Sequence, residues 1–331
     1  MNILLFTRYN QKHGFGHISR TREFFKDTLE LFKKNKIKAN FVFKILVDNA
    51  SDLSLIYSYF SGLSQSENIQ IEASSSNDFK INNSIDFCFI DCIEIDKKLF
   101  HNLKESSTKL VSLSPIGNYI SDVDVLFARS NVILPEGNNN KVELKIGSQF
   151  SIFRKIVTKI RHGKATRKRI IFFIGGPNRP KIIAFINRNI NGLDINGNPY
   201  EKIIISNVNN NFNNMDDFKV YDLENFLFYE DDLIVTSGGL SFMESAYSGC
   251  KTLNFFLDKS HSHIADKTIF SFENVHSIGL YEETDLFLTK FNNAFTTFDS
   301  GTSIDKSLVI NNPRDDMGAC KIWDELFSAR D

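Results

Sequence analysis

Gly14-Phe15-Gly16-His17-Ile18-Ser19-Arg20 follows the first apolar run of the chain within a few residues. An imidazole there can take a proton from water or from a hydroxyl near neutral pH. The glycines Gly14 and Gly16 allow a tight turn and close approach of a ligand to the backbone, and free N–H groups at a helix start suit an anion. The spacing is not a full dinucleotide fingerprint, because the third glycine is missing and Arg20 follows instead. A structural turn with an incidental His explains the same residues. A second cluster is Thr236-Ser237-Gly238-Gly239-Leu240-Ser241-Phe242-Met243-Glu244. Strand, Ser237-Gly238-Gly239 turn, then helix with Ser241 is a phosphate-cradling order. Glu244 is placed to accept hydrogen bonds from ribose hydroxyls, or else to act as a helix-dipole acid.

Three weaker signals accompany these. Gly175, Gly176 and Asn178, in Ile174-Gly175-Gly176-Pro177-Asn178, form either a ligand-facing glycine turn or a plain strand-to-loop turn. Asp91 ends a buried strand, where an acid is either functional or a helix cap. His261 and His263 stand two residues apart in Ser260-His261-Ser262-His263. They contact a ligand's polar group or lie on plain surface; with only Asp258 and Asp266 nearby, no metal site is expected. No G-x-S-x-G elbow, H-E-x-x-H or kinase set is present.

The elements that must position these residues alternate. Ile3–Thr7, Phe41–Val47, Phe87–Ile90, Lys109–Leu113 and Val123–Phe127 read as buried strands, with helices at Ile18–Lys34, Leu53–Leu63 and Lys97–Glu105. A second series has strands at Ile170–Ile174, Lys202–Ser206, Leu233–Thr236 and Lys251–Phe256, and helices at Lys181–Asn189, Leu240–Ser248 and Met317–Ser328. Asn207–Asn214 reads as an exposed loop. Alternation of this kind predicts α/β units with parallel sheets covered on both faces. Between the two series runs a basic stretch, from Arg154 to Arg169. It reads as a solvated linker, or as a local attraction for phosphate or an anionic membrane surface. The predicted domains are 1–150, a linker at 151–168, and 169–331. Ligands of such sheets bind outside the carboxyl ends of strands, so two units facing a central cleft would line it with glycine turns.

Composition narrows the function. The chain has 331 residues, enough for two domains. Lys and Arg number 39 against 40 Asp and Glu, so no basic field for nucleic acid exists. Four Cys are too few for a disulfide framework, and Cys88 and Cys92 read as buried thiols rather than a zinc pair. Phe stands at 32 residues, which reads as core filler. The apolar start meets Arg8 almost at once, too early for a signal peptide or a membrane span. The expected location is the cytoplasm, with a peripheral place at the inner membrane face as the alternative.

In this order the motifs resemble the two-domain GT-B nucleotide-sugar enzymes, most closely the UDP-sugar hydrolase family of pseudaminic acid biosynthesis and its spore-coat and surface-polysaccharide relatives. The residues that carry the resemblance are Gly14–Arg20, Phe89–Asp96, Ile146–Arg154, Phe173–Asn178 and Ser237–Glu244. Cys92 stands where an aromatic residue or His is more usual, and Ser260–His263 where relatives more often carry Asn-Gln. The resemblance implies two Rossmann-like domains, His17 as the base that activates water, Glu244 on the uridine ribose, and the Gly175-Gly176 and Gly238-Gly239 turns on the diphosphate. It implies no cofactor and no bound metal, with the UDP-sugar as substrate. Hydrolysis of a UDP-activated amino-deoxy sugar is the expected reaction. Transfer to a glycan or lipid acceptor is the alternative on the same fold, and a non-catalytic nucleotide-sugar-binding protein is the third reading.

Overall fold

The first apolar run forms strand β1 (Asn2–Tyr9) in the structure, a computed structural model. The structure describes residues 1–10, 15–63, 68–76, 79, 81, 84–129, 142–154, 163, 165–175, 179–189, 199–206, 215, 217–223, 226–257, 259, 272, 274–299 and 317–328. After β1 come α1 (Gly16–Lys34), β2 (Asn40–Val47), α2 (Leu53–Phe60), β3 (Ile69–Ser74), β4 (Ile85–Asp91), α3 (Lys97–Glu105), β5 (Ser107–Ser112), β6 (Val125–Ala128) and β7 (Glu143–Ile146). The second series is β8 (Arg169–Phe173), α4 (Arg179–Asn189), β9 (Glu201–Ile205), β10 (Phe218–Tyr221), β11 (Leu233–Thr236), α5 (Gly239–Tyr247), β12 (Lys251–Phe256), β13 (Val275–Leu280) and α6 (Asp285–Asp299). The last helix is α7 (Ala319–Ser328).

These elements form two units: Met1–Ile152 with Arg314–Asp331, and Phe153–Pro313. In unit 1 the strand order is β3-β2-β1-β4-β5-β6-β7; in unit 2 it is β10-β9-β8-β11-β12-β13. Every described pairing is parallel. Both orders run outward one way, return to the first strand, and continue the other way. The topological switch points therefore lie between β1 and β4 and between β8 and β11, where open α/β sheets bind ligands.

Side chains alternate across each sheet. Leu4, Phe6, Cys88 and Ile90 face α3, packing with Leu99, Phe100 and Leu103. On the other face Phe87 and Phe89 meet Trp323, and Phe89 meets Phe24 of α1. In unit 2, Phe172, Val235, Leu253 and Phe255 pack with Ile183 and Ile186 of α4 and with Phe287 and Phe291 of α6. Most of the largest fully buried side chains are Phe, as the reading of Phe as core filler expects. Cys88 and Cys92 are buried, and burial pushes both thiols up.

Four expectations need correction. The predicted second domain runs to 331, but α7 belongs to unit 1. Trp323 is fully buried there, and its indole N–H donates to the Thr28 hydroxyl at 3.0 Å. The linker expected at 151–168 is not solvated at its start: Ile152, Phe153 and Arg154 are buried. Residues 155–162 and 164 lie outside the described residues, as do Asn207–Asn214. Finally, the predicted alternation omits β3, β7, β10 and β13. These four are the edges of the two sheets. A strand with one free edge is incompletely covered, and their residues are mostly half-buried or exposed. They therefore lack the continuous apolar run that marks a central parallel strand. Helix α6 was also missed, because its Thr, Asn and Phe residues are weak helix formers.

Candidate functional site

Asp91 is the last residue of β4 and pairs in register with Thr7 of β1, so it sits at the switch point of unit 1. It shares the face of Phe87 and Phe89, which is the face α1 covers. Its side chain is 0% exposed. The Thr7 hydroxyl donates to the Asp91 carbonyl at 2.9 Å. The carboxylate is ringed by donors from α1 and from the segment after β5. His17 Nδ1 lies 2.7 Å from Oδ1. Arg20 donates through Nε to Oδ2 at 2.7 Å and through Nη2 to Oδ1. The Thr21 hydroxyl reaches Oδ2 at 3.2 Å, and the Ser114 hydroxyl reaches Oδ1 at 3.0 Å. Burial by itself would raise the Asp91 pKa. The Arg20 guanidinium and His17 override it and hold the carboxyl well below the usual carboxylate range.

This arrangement sets the histidine tautomer. A carboxylate oxygen only accepts, so the 2.7 Å contact requires a proton on Nδ1. Arg20 Nη2 lies 3.0 Å from the same Nδ1. Both groups point N–H at one oxygen, so this is the spacing of two donors around one acceptor. Nε2 then carries the lone pair and has no hydrogen-bond partner among the described residues. A base needs that lone pair, and the carboxylate stabilises the imidazolium once formed. Helical spacing assembles the donors: His17, Arg20 and Thr21 occupy positions i, i+3 and i+4 of one face of α1.

Asp91 does not cap a helix. Asp96 does, accepting from the N–H groups of Lys98 and Leu99 at 2.9 and 3.1 Å. Gly16 has no positive φ, and a Cβ there would meet nothing within 4 Å. Its backbone needs no glycine, which corrects the tight-turn expectation; what it leaves is open space beside His17. Gly14 lies outside the described residues.

In unit 2 the corresponding switch point is built from backbone. The Ser237 hydroxyl accepts from the Gly175 N–H at 3.0 Å and donates to the Gly175 carbonyl at 3.1 Å, tying the ends of β8 and β11 together. Gly238 has φ +81° and Gly239 φ +70°, a region that favours glycine. A Cβ on Gly238 would also stand 3.2 Å from Phe256. Helix α5 starts here, and no side chain caps its N-terminus. Its first N–H groups, with the helix dipole behind them, suit an anion. Ser241 lies buried in its first turn.

Glu244 departs from expectation. Its side chain is 0% exposed and both oxygens are engaged by Arg154. Arg154 donates its backbone N–H to Oε1 at 2.8 Å, its Nε to Oε1 at 2.8 Å and to Oε2 at 2.9 Å, and its Nη2 to Oε2. The Arg154 guanidinium also lies 4.8 Å over the Phe173 ring. In this arrangement Glu244 anchors the start of unit 2 to α5 instead of offering a carboxylate to ribose. Gly176, Asn178, His261 and His263 lie outside the described residues.

Sequence reasoning missed Thr21, Ser114 and Arg154. The i+4 spacing from His17 points to Thr21, and the basic stretch contained Arg154. Nothing local marks Ser114, whose place depends on the sheet order. Among the described residues no group of three metal-ligating side chains is gathered, and no helix is long and apolar enough to cross a membrane.

No protein-family model matches the chain, nor does any curated protein. Solved structures do. The chain is similar to the UDP-GlcNAc 2-epimerase of Neisseria meningitidis bound to UDP-GlcNAc, at 10% identity and TM-score 0.50, covering 99% of this chain and 100% of that one. It is similar to the glycotransferase of kitacinnamycin, at 9% identity and TM-score 0.57, covering 98% and 97%. A spinosyn rhamnosyltransferase complexed with thymidine diphosphate matches at 8% identity and TM-score 0.53, covering 98% and 100%. Two parallel Rossmann-ordered sheets in tandem, matched over nearly the whole chain by these structures, give the protein the two-domain GT-B fold.

Proposed function

We propose that the chain is a nucleotide-sugar enzyme in which unit 2 binds the nucleoside diphosphate and unit 1 supplies the base for the hydroxyl that displaces it. The observation that carries this reading is the His17–Asp91 pair at the switch point of unit 1, with Nδ1 bound to the carboxylate. Asp91 keeps the proton on Nδ1. His17 Nε2 takes the proton of the attacking hydroxyl as its oxygen bonds to the anomeric carbon of the sugar. The anomeric C–O bond breaks, and its electron pair leaves with the diphosphate. N–H groups at the start of α5 meet the charge that develops on the leaving group. When the hydroxyl is water, the reaction is hydrolysis of a UDP-activated amino-deoxy sugar to free sugar and UDP. When it belongs to a glycan or lipid, the reaction is glycosyl transfer, a reading favoured by the likeness to two glycosyl-transferring enzymes.

The test is incubation with UDP-, dTDP-, GDP- and CMP-sugars, with and without hydroxyl acceptors, while free nucleotide is measured. Release of UDP without acceptor supports hydrolysis, and release only with acceptor supports transfer. A sugar altered while still attached to its nucleotide contradicts the displacement. Tight binding with no product in any arm would make the chain a binding protein and overturn the enzymatic reading.

A further inference from the structure

Asn254 lies in β12, one strand out from the glycine turn, and is 0% exposed. Its Oδ1 accepts from the Gly238 N–H at 2.8 Å and from the Thr236 hydroxyl at 2.9 Å. A backbone N–H can only donate, so the carboxamide is oriented with its oxygen to the turn. Nδ2 is then left with no hydrogen-bond partner among the described residues. Burying a donor without a partner is costly. An aspartate of the same shape would accept both bonds and leave no donor over. It would also place a negative charge behind the N-terminus of α5, where the helix dipole and the exposed amides favour an anion. The chain carries the orphaned donor and avoids the charge.

We propose that Asn254 is a positioning residue of the anion site: a charge-neutral latch that holds the Gly238-Gly239 turn without opposing a nucleoside diphosphate. The inference rests on the reading of unit 2 as the nucleotide-binding unit. By engaging the Gly238 N–H, Asn254 fixes a turn whose φ of +81° is otherwise free to relax. The amides of Gly239 and Leu240 are thereby held at the start of α5. Neutrality is the second requirement, because a buried charge in so little solvent acts on the bound anion with little screening.

The test uses the full chain with Asn254→Asp and Asn254→Ala. UDP affinity is measured by calorimetry from pH 6 to 9, each variant compared with the wild type at the same pH, with melting temperature followed in parallel. Asn254→Asp, which can keep both hydrogen bonds to the turn but adds a charge, is expected to bind UDP about tenfold more weakly at pH 8 with the melting temperature retained. Asn254→Ala is expected to lose affinity by a factor that does not change with pH. Asn254→Asp binding UDP within twofold of wild type at pH 8 would overturn the proposal. Should Asn254→Asp fail to fold, Asn254→Ala decides. Affinity within twofold of wild type overturns the latch, and a tenfold loss at a retained melting temperature upholds it. A wild type that binds neither UDP nor dTDP instead refutes the nucleotide reading of unit 2. Wild-type binding with an unaffected Asn254→Asp refutes the latch alone.

Discussion

The two units share a strand order and differ in what stands at the switch point. In unit 1 the place is filled by side chains: a buried carboxylate, Asp91, ringed by His17, Arg20, Thr21 and Ser114. In unit 2 it is filled by backbone: the Gly175 and Gly238-Gly239 turns, tied by Ser237 and followed by the uncapped start of α5. One buried charged pair of unit 2, Arg154 with Glu244, holds that unit's first residues to the helix. The same topology thus carries a buried carboxylate beside a histidine in one unit and an amide-lined turn in the other. Fold alone does not assign a reaction; the contents of each crevice do.

Variants should separate the two. The largest effect is expected from Asp91→Asn. It removes the charge that fixes and stabilises the imidazolium, and turnover should fall by about a hundredfold to ten-thousandfold. UDP affinity, measured by calorimetry, should stay within a few-fold; an equal loss of binding would erase the distinction between the units. Glu244→Ala removes the buried carboxylate to which Arg154 donates through its backbone and its guanidinium. Unit 2 should lose about 3–5 kcal/mol of stability in denaturant unfolding. A variant as stable as wild type that binds UDP poorly would instead restore the ribose role. Gly238→Ala forces an L-residue to φ +81° against Phe256. UDP should bind about tenfold more weakly, while turnover at saturating substrate stays within a few-fold.

The smallest effect is on pH dependence. The folded Asp91 pKa lies below its unfolded value of about 3.9. The unfolded chain therefore binds more protons at acid pH. The stabilisation is complete above the unfolded pKa and is lost as pH falls through the folded one. Melting temperature below about pH 5 should fall more steeply in the wild type than in Asp91→Asn. Parallel curves would mean that Asp91 is not held charged by Arg20.

Much of this was legible before folding. The central strands announce themselves because burial on both faces demands apolar runs, as at Leu233–Thr236 and Lys251–Phe256. Asp91 at the end of β4, His17 at the start of α1 and the Gly238-Gly239 turn between β11 and α5 could be singled out because their residue types stand near where strands pass into helices. What was not legible is whatever depends on which strands are neighbours. Ser114 reaches Asp91 only because β5 lies beside β4. Asn254 reaches Gly238 only because β12 lies beside β11. Glu244 reads in sequence as a ribose contact or a helix-dipole acid, and its buried pairing with Arg154, 90 residues away, has no local signal. The return of α7 to unit 1 is of the same kind, since the Trp323–Thr28 contact spans 295 residues.

The division of labour stands or falls on His17→Ala, assayed for turnover and UDP affinity on one preparation. The account predicts turnover reduced about a hundredfold to ten-thousandfold with UDP affinity within threefold of wild type. Turnover equal to wild type on the same nucleotide sugar would contradict it and remove His17 from the reaction.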